Sequence, residues 1–166
     1  MNGIPSFRLE KDVINAEIDV LREMGVEFKC GVEVGEDITI AQLREQGYKA
    51  FYIAIGAQGG RMTGVPGEDA VGVETGVDFL RRVNLNEEGV KLSGKTVVIG
   101  GGNVAVDVAR TALRTGSSDV SMFCLESRDI MPAADDEVAE AEEEGIVVNN
   151  SWGPKEILTE NGKVTA

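Results

Sequence analysis

The chain has no histidine, which removes the usual general base at neutral pH and the commonest zinc ligand. Cysteine is nearly absent too: Cys30 and Cys124 lie far apart, each inside an apolar, strand-like run, so a disulfide framework has no support and two buried thiols are expected. Basic residues are scarce. Only 16 Lys and Arg face 29 Asp and Glu, and the formal net charge of -13 makes nucleic acid and anionic membrane surfaces poor partners. No apolar run approaches the ~20 residues of a membrane span. The opening Met1-Asn2-Gly3-Ile4-Pro5 lacks the basic start and apolar stretch of a signal peptide, so a cytoplasmic protein is expected. Any chemistry must then come from a bound cofactor rather than from an acid-base side chain.

What is present is enough apolar material for a core. At 166 residues and 42% hydrophobic, the length suits one domain, or one domain and a piece of another. Residues 11–24 carry Val13, Ile14, Ile18, Val20, Leu21 and Met24 on a broad helical face and stop at Gly25. Residues 26–30 read as a short strand, 40–46 as a short helix, and the apolar run 50–55 as a strand buried on both faces. The segment 58–72, with Gly59, Gly60, Gly64, Gly67 and Gly72, reads as a connection between two structural units. Helical spacing resumes over 75–83, and then strands (95–99, 119–125, 146–149) alternate with helices (103–115, 134–144). That alternation predicts a parallel sheet in an α/β fold. Asn161-Gly162 marks a hairpin turn near the end. The acids of 135–144 suit a helix dipole at their start and a wet face beyond it better than a metal site, and none is assigned. Met131 and Trp152 read as packing residues.

The sharpest feature is Thr96-Val97-Val98-Ile99-Gly100-Gly101-Gly102-Asn103-Val104-Ala105, a buried strand entering G-x-G-x-x-A at the head of a helix. Gly100 allows the tight turn, Gly102 lets backbone N–H groups approach a pyrophosphate, and the small Ala105 lets helix and strand pack closely. The helix N-terminus adds partial positive charge. The same turn could serve flavin, S-adenosylmethionine or only the chain reversal itself. Glu126 stands at the end of the next strand, 26 positions after Gly100, where a carboxylate can accept from a ribose 2′-hydroxyl and repels a 2′-phosphate. It favours NAD over NADP, although Glu126 could be a solvated strand end and Arg128 could reach a 2′-phosphate instead.

Several further motifs occur in order: Gly3-Ile4-Pro5-Ser6-Phe7-Arg8-Leu9, Ala54-Ile55-Gly56-Ala57, Val65-Pro66-Gly67-Glu68, Asp78-Phe79-Leu80, the glycine turn with Asp107 after it, and Met131-Pro132-Ala133. Through them the chain resembles the small (beta) subunit of NADPH-dependent glutamate synthase and its relatives. These relatives include the dihydropyrimidine dehydrogenase flavin domain and ferredoxin-NADP transhydrogenase subunits. The resemblance implies a flavoprotein in which a nicotinamide-nucleotide domain is inserted into an FAD domain and passes hydride to the flavin. It implies a Rossmann-like three-layer nucleotide-binding domain over residues 63–166, truncated at its end, and an incomplete FAD-domain segment over 1–62. Gly56 and Ala57 would then lie where the chain returns toward the FAD, and the FAD glycine fingerprint would precede residue 1. A glutamate synthase large subunit or another electron acceptor would be the partner of the longer protein. One departure stands out: Leu125-Glu126 occupies the place where NADPH-using relatives carry two consecutive arginines, leaving Arg128 farther along. The iron-sulfur cysteines of many relatives are absent as well.

Two functions follow. The first is the NAD(P)H-binding part of an FAD-dependent oxidoreductase, inactive alone. The second is a stand-alone NAD(H)-binding or sensing module. They differ at residues 50–55: a self-contained module would cover this apolar run on both faces, whereas a fragment would leave it short of neighbours and prone to self-association, as a homodimer through exposed sheet edges.

Overall fold

Val106, Ala109 and Ala112 recur at helical spacing, and in the computed structural model each is 0% exposed on the inner face of α4 (Asn103–Arg114). The structure describes residues 2–86 and 89–165. It divides into two compact units, one of Met1–Glu10 with Gly59–Ala166 and one of Lys11–Gln58.

In the first unit, β1 (Lys95–Ile99), β2 (Asp119–Cys124) and β3 (Val147–Asn150) form a parallel sheet in the order β1-β2-β3. Its register aligns Val98 with Met122 and Met122 with Val148. Helix α4 packs on β1 and β2 and touches both α3 (Gly76–Asn84) and α5 (Asp135–Glu143). The small Ala109 and Ala112 let it sit close to the strands. Phe79 and Leu80 of α3, Val98, Val120 and Met122 of the sheet, and Val138 and Ala141 of α5 complete the core. Side chains alternate across a strand, so the opposite sheet face carries Val97, Ile99 and Val147, all exposed. Met131 packs against the core as expected, but Trp152 is 63% exposed and does not. The tail forms the predicted hairpin as β4 (Thr159–Glu160) and β5 (Lys163–Val164), with Asn161 and Gly162 at positive φ in the turn. Residues 59–72 lie wholly within this unit: Val71 pairs with Lys163, and the N–H of Ile157 donates to Pro66 O at 2.8 Å. The chain passes between the units at residues 58 and 59, within the glycine-rich connection expected there, and the rest of that segment is docked in the first unit.

The second unit holds α1 (Lys11–Glu23) and α2 (Ile40–Glu45), neither with a buried residue. Thr39 and Gln42 close α2 with reciprocal hydrogen bonds of 3.2 and 2.8 Å. The strands expected at 26–30 and 50–55 do not form. Tyr52, Ile53 and Ile55 are 94%, 79% and 79% exposed, and Cys30 is exposed, contrary to the expected buried thiol, whereas Cys124 is buried. A strand is defined by the neighbour that takes its hydrogen bonds. Among the described residues of this unit the pairing is limited to an isolated bridge between Val34 and Ile38.

The acids of α5 answer basic groups on the rest of the first unit. Arg110, 8% exposed, donates to Glu140 at 2.6 Å and to Glu144 at 2.8 Å, while Arg114 reaches Glu144 at 2.7 Å. The Phe7 ring lies 4.8 and 4.0 Å from the Arg110 and Arg114 guanidinium carbons. Arg8 grips Glu137 through two hydrogen bonds of 2.5 and 2.7 Å and donates to Asp107 through Nε. Residues 7 and 8 thus tie α4 to α5, and the wet face expected for α5, where Glu140 and Glu142 are 57% and 46% exposed, carries ion pairs as well. Burial works against the Arg8 charge, but the hydrogen bonds to Glu137 and Asp107 more than offset it and its pKa lies above the ordinary value. Burial pushes the Asp107 carboxyl above the usual range, with Arg8 pulling the other way. Among the described residues no helix is long and apolar enough to cross a membrane.

Replacing Arg8 strands two carboxylates whose side chains are 13% and 19% exposed. Arg8→Gln is expected to lower stability by about 2–3 kcal/mol at pH 7 in urea unfolding. Without the cation the Asp107 carboxyl, already held above its usual range by burial, rises further, so the deficit shrinks as pH falls through that range. A deficit that stays constant from pH 7 to 5 refutes this charge account.

Candidate nucleotide-binding site

Strand β1 leads directly into the glycine turn. Gly100 has φ +143, a conformation that side chains rarely adopt, and its N–H donates to Phe123 O at 2.9 Å, which holds the turn to β2. A Cβ at Gly100 would lie 3.3 Å from the Ala105 Cβ, so helix and turn meet as closely as two small residues permit. At Gly101 a Cβ would fall 2.9 Å from Cys124 Cβ and 3.0 Å from Glu126 Oε2. Gly101 is therefore wedged against the end of β2 and the Glu126 carboxylate. Gly102 is different: it is the N-cap of α4, with no side-chain cap, and nothing lies within 4 Å of where its Cβ would be.

The open side of this turn presents unspent donors. The Gly102 carbonyl accepts from the N–H of Ala105 at 2.8 Å and of Val106 at 3.2 Å. Among the described residues no backbone acceptor takes the N–H of Asn103 or Val104, the first two residues of α4. Small side chains, free N–H groups and the positive helix end are a fit for a pyrophosphate. Asn103 faces elsewhere with its side-chain carbonyl, which accepts from Ala134 N–H at 2.9 Å, and Ala133 N–H donates to Gly101 O at 2.9 Å. The Met131-Pro132-Ala133 segment thus braces the turn, a support that the glycine pattern alone does not disclose.

Glu126 is half-buried beyond β2, its backbone carbonyl accepting from Ser151 N–H at 3.0 Å and from Asn150 Nδ2 at 3.3 Å. The Asn150 amide also reaches Cys124 Sγ at 3.2 Å, so β3 fixes the strand end that carries the acid. Residues Asn150 and Ala133 were not singled out for this from sequence, because a backbone brace leaves no pattern in the chain. Arg128 lies in a 3-10 turn (Arg128–Ile130) and forms a two-point ion pair with Glu142 at 3.1 and 3.2 Å. Val104 is 52% exposed at the helix start. The turn, Ala105 and Glu126 come together; Arg128 is engaged with α5. Gly56 (φ +72) and Ala57 belong to the other unit, where Gln58 Nε2 donates to Ile55 O at 3.5 Å.

The parallel sheet and glycine turn define a Rossmann-like α/β domain. The chain belongs to the pyridine nucleotide-disulphide oxidoreductase family, whose model matches residues 35–165. It is 41% identical over 165 residues to the NADP(+)-dependent formate dehydrogenase subunit beta of Moorella thermoacetica, covering 98% of this chain and 23% of that protein. It is 41% identical over 154 residues to the glutamate synthase [NADPH] small chain of Halomonas elongata, covering 87% of this chain and 32% of that protein. To the NAD-dependent dihydropyrimidine dehydrogenase subunit PreT of Escherichia coli K12 it is 36% identical over 164 residues, 99% of this chain and 39% of that protein. The chain therefore spans between about a quarter and two fifths of the length of these relatives. Among solved structures, FprA from Mycobacterium tuberculosis in complex with NADPH has the same fold, with a TM-score of 0.74 at 20% identity over 98% of this chain and 52% of that one.

The geometry separates the neighbouring glycines. Gly101→Ala should lower unfolding stability by about 2 kcal/mol through overpacking against Cys124 and Glu126. Gly102→Ala should lose about 1 kcal/mol or less, the difference between glycine and alanine at an N-cap. Equal losses at the two positions in chemical denaturation would contradict the wedge at Gly101.

Proposed function

We propose that this chain is the pyridine-nucleotide-binding part of an FAD-dependent oxidoreductase and that the nucleotide it takes is NAD(H) in preference to NADP(H). The observation that carries this is the open Gly102 turn, with the N–H groups of Asn103 and Val104 at the head of α4 and the Glu126 carboxylate beside Gly101. Residues 63–166 form the nucleotide domain in this reading. Gly100, Gly101, Gly102, Asn103, Val104 and Ala105 hold the pyrophosphate, with the Asn103 side chain bracing the loop, and Glu126 accepts from the adenosine ribose. Arg128 borders the same end. Residues 1–62 belong to the FAD-domain segment, with Gly56 and Ala57 on the flavin side. The nicotinamide and flavin supply the hydride chemistry; the chain's residues bind, orient and select.

The relatives carry both nucleotide names, NADP in the formate dehydrogenase and glutamate synthase subunits and NAD in PreT, so the family leaves the choice to local residues. Those three are also named as subunits or a small chain, which supports a partner subunit that accepts electrons, such as a glutamate synthase large subunit. A stand-alone NAD(H)-sensing module is less well supported, because Tyr52, Ile53 and Ile55 are left uncovered.

Calorimetric titration with NADH and NADPH tests the reading. NADH is expected to bind more tightly, Glu126→Arg to reverse the order, and Gly102→Ala to weaken NADH by about tenfold or more, the equivalent of a lost charge-assisted hydrogen bond. Tighter NADPH binding by the unaltered chain refutes the role of Glu126.

A further inference from the structure

Two residues past Glu126, the chain places a guanidinium where an NADP-binding protein would want one. Arginine's planar fork matches a phosphate in two parallel hydrogen bonds, so Arg128 by itself would oppose the selectivity that Glu126 supplies. The structure shows that fork already filled. Arg128 Nη1 and Nη2 donate to Glu142 Oε1 and Oε2 at 3.1 and 3.2 Å, one carboxylate meeting both arms. Glu142 comes from α5, 14 residues along from Arg128, so the pairing joins two separate elements. The neighbouring Asp129 carboxylate is taken up by Ser127 Oγ at 2.5 Å, a hydrogen bond that lowers its pKa, and no ion pair joins it to Arg128 among the described residues.

We propose that Glu142 is a positioning residue for nucleotide choice, which occupies the Arg128 fork and so withholds it from the 2′-phosphate of NADP(H). This rests on the placement of the adenosine ribose at Glu126. A 2′-phosphate entering there must displace one carboxylate and lie beside another, whereas a 2′-hydroxyl needs neither. The Arg128 and Glu142 side chains are 42% and 46% exposed, so the pair is screened by water and salt, and its effect is that of a surface ion pair. Glu126 sets the preference, and Glu142 prevents Arg128 from undoing it.

The test is isothermal titration of the full chain and of Glu142→Gln, Arg128→Gln and the double variant. The probes are NADH, NADPH and adenosine 2′,5′-bisphosphate, which reports the 2′-phosphate without the nicotinamide. Glu142→Gln is expected to tighten NADPH and the bisphosphate by about two- to fivefold, leave NADH within error, and keep the same unfolding temperature. In the Arg128→Gln background the gain should vanish, because nothing is left to release. A gain that persists without Arg128 overturns the proposal in favour of the bare charge of Glu142. A chain that binds NADH normally but shows no gain overturns it alone. A chain that binds no nucleotide overturns it together with the site at Gly102.

Discussion

The close approach of β1, the glycine turn and α4 is the constraint on which the first unit depends. Ala105 and Gly100 meet at a separation that admits nothing larger, and Gly101 is pressed on Cys124 and Glu126. Because that side of the turn is full, the other side is open at Gly102, with the helix's first donors facing outward. One packing event therefore creates both the rigidity of the loop and its open side at Gly102. The bracing from Ala133 and Asn150 serves the same end, fixing backbone on which no side-chain chemistry is required.

Charge is organised around α4 and α5 in an equally economical way. A chain with so few basic residues commits Arg8, Arg110, Arg114 and Arg128 to the acids of α5. Arg8 and Phe7 come from the first ten residues, so a short segment remote in sequence ties two helices of the nucleotide domain. Such half-buried pairs add less to stability than they add to geometry, since desolvation offsets much of the attraction. Their value here is that α5 is held in register with the turn it supports.

The legibility of the chain was uneven for physical reasons. Strands at 95–99 and near 119–125 and the intervening helix were readable because each is an apolar run or carries its own period, with Gly100 ending the first strand and Gly116 the helix, and the parallel pairing followed from their alternation. The Asn-Gly hairpin was readable because its turn needs positive φ at both residues. The run 50–55 misled: continuous apolar character says that neighbours are wanted, not that they are there, and Tyr52 and Ile53 face solvent. Cys30 misled for the same reason. The acids of α5 do form a wet face, but their ion pairs were not readable because an ion pair leaves no trace in local spacing.

The sequence by itself determined the order of strands and helices from residue 75 onward, the glycine turn with its small following residue, the acid at the end of the second strand and the family. These are local properties, carried by side-chain size and by the period of the apolar positions. Only the tertiary structure decided that Gly101 is wedged while Gly102 is open, that Asn103 braces Ala134, and that Arg128 is held by Glu142. Each of those depends on the distance between segments far apart in the chain, which packing fixes and composition does not.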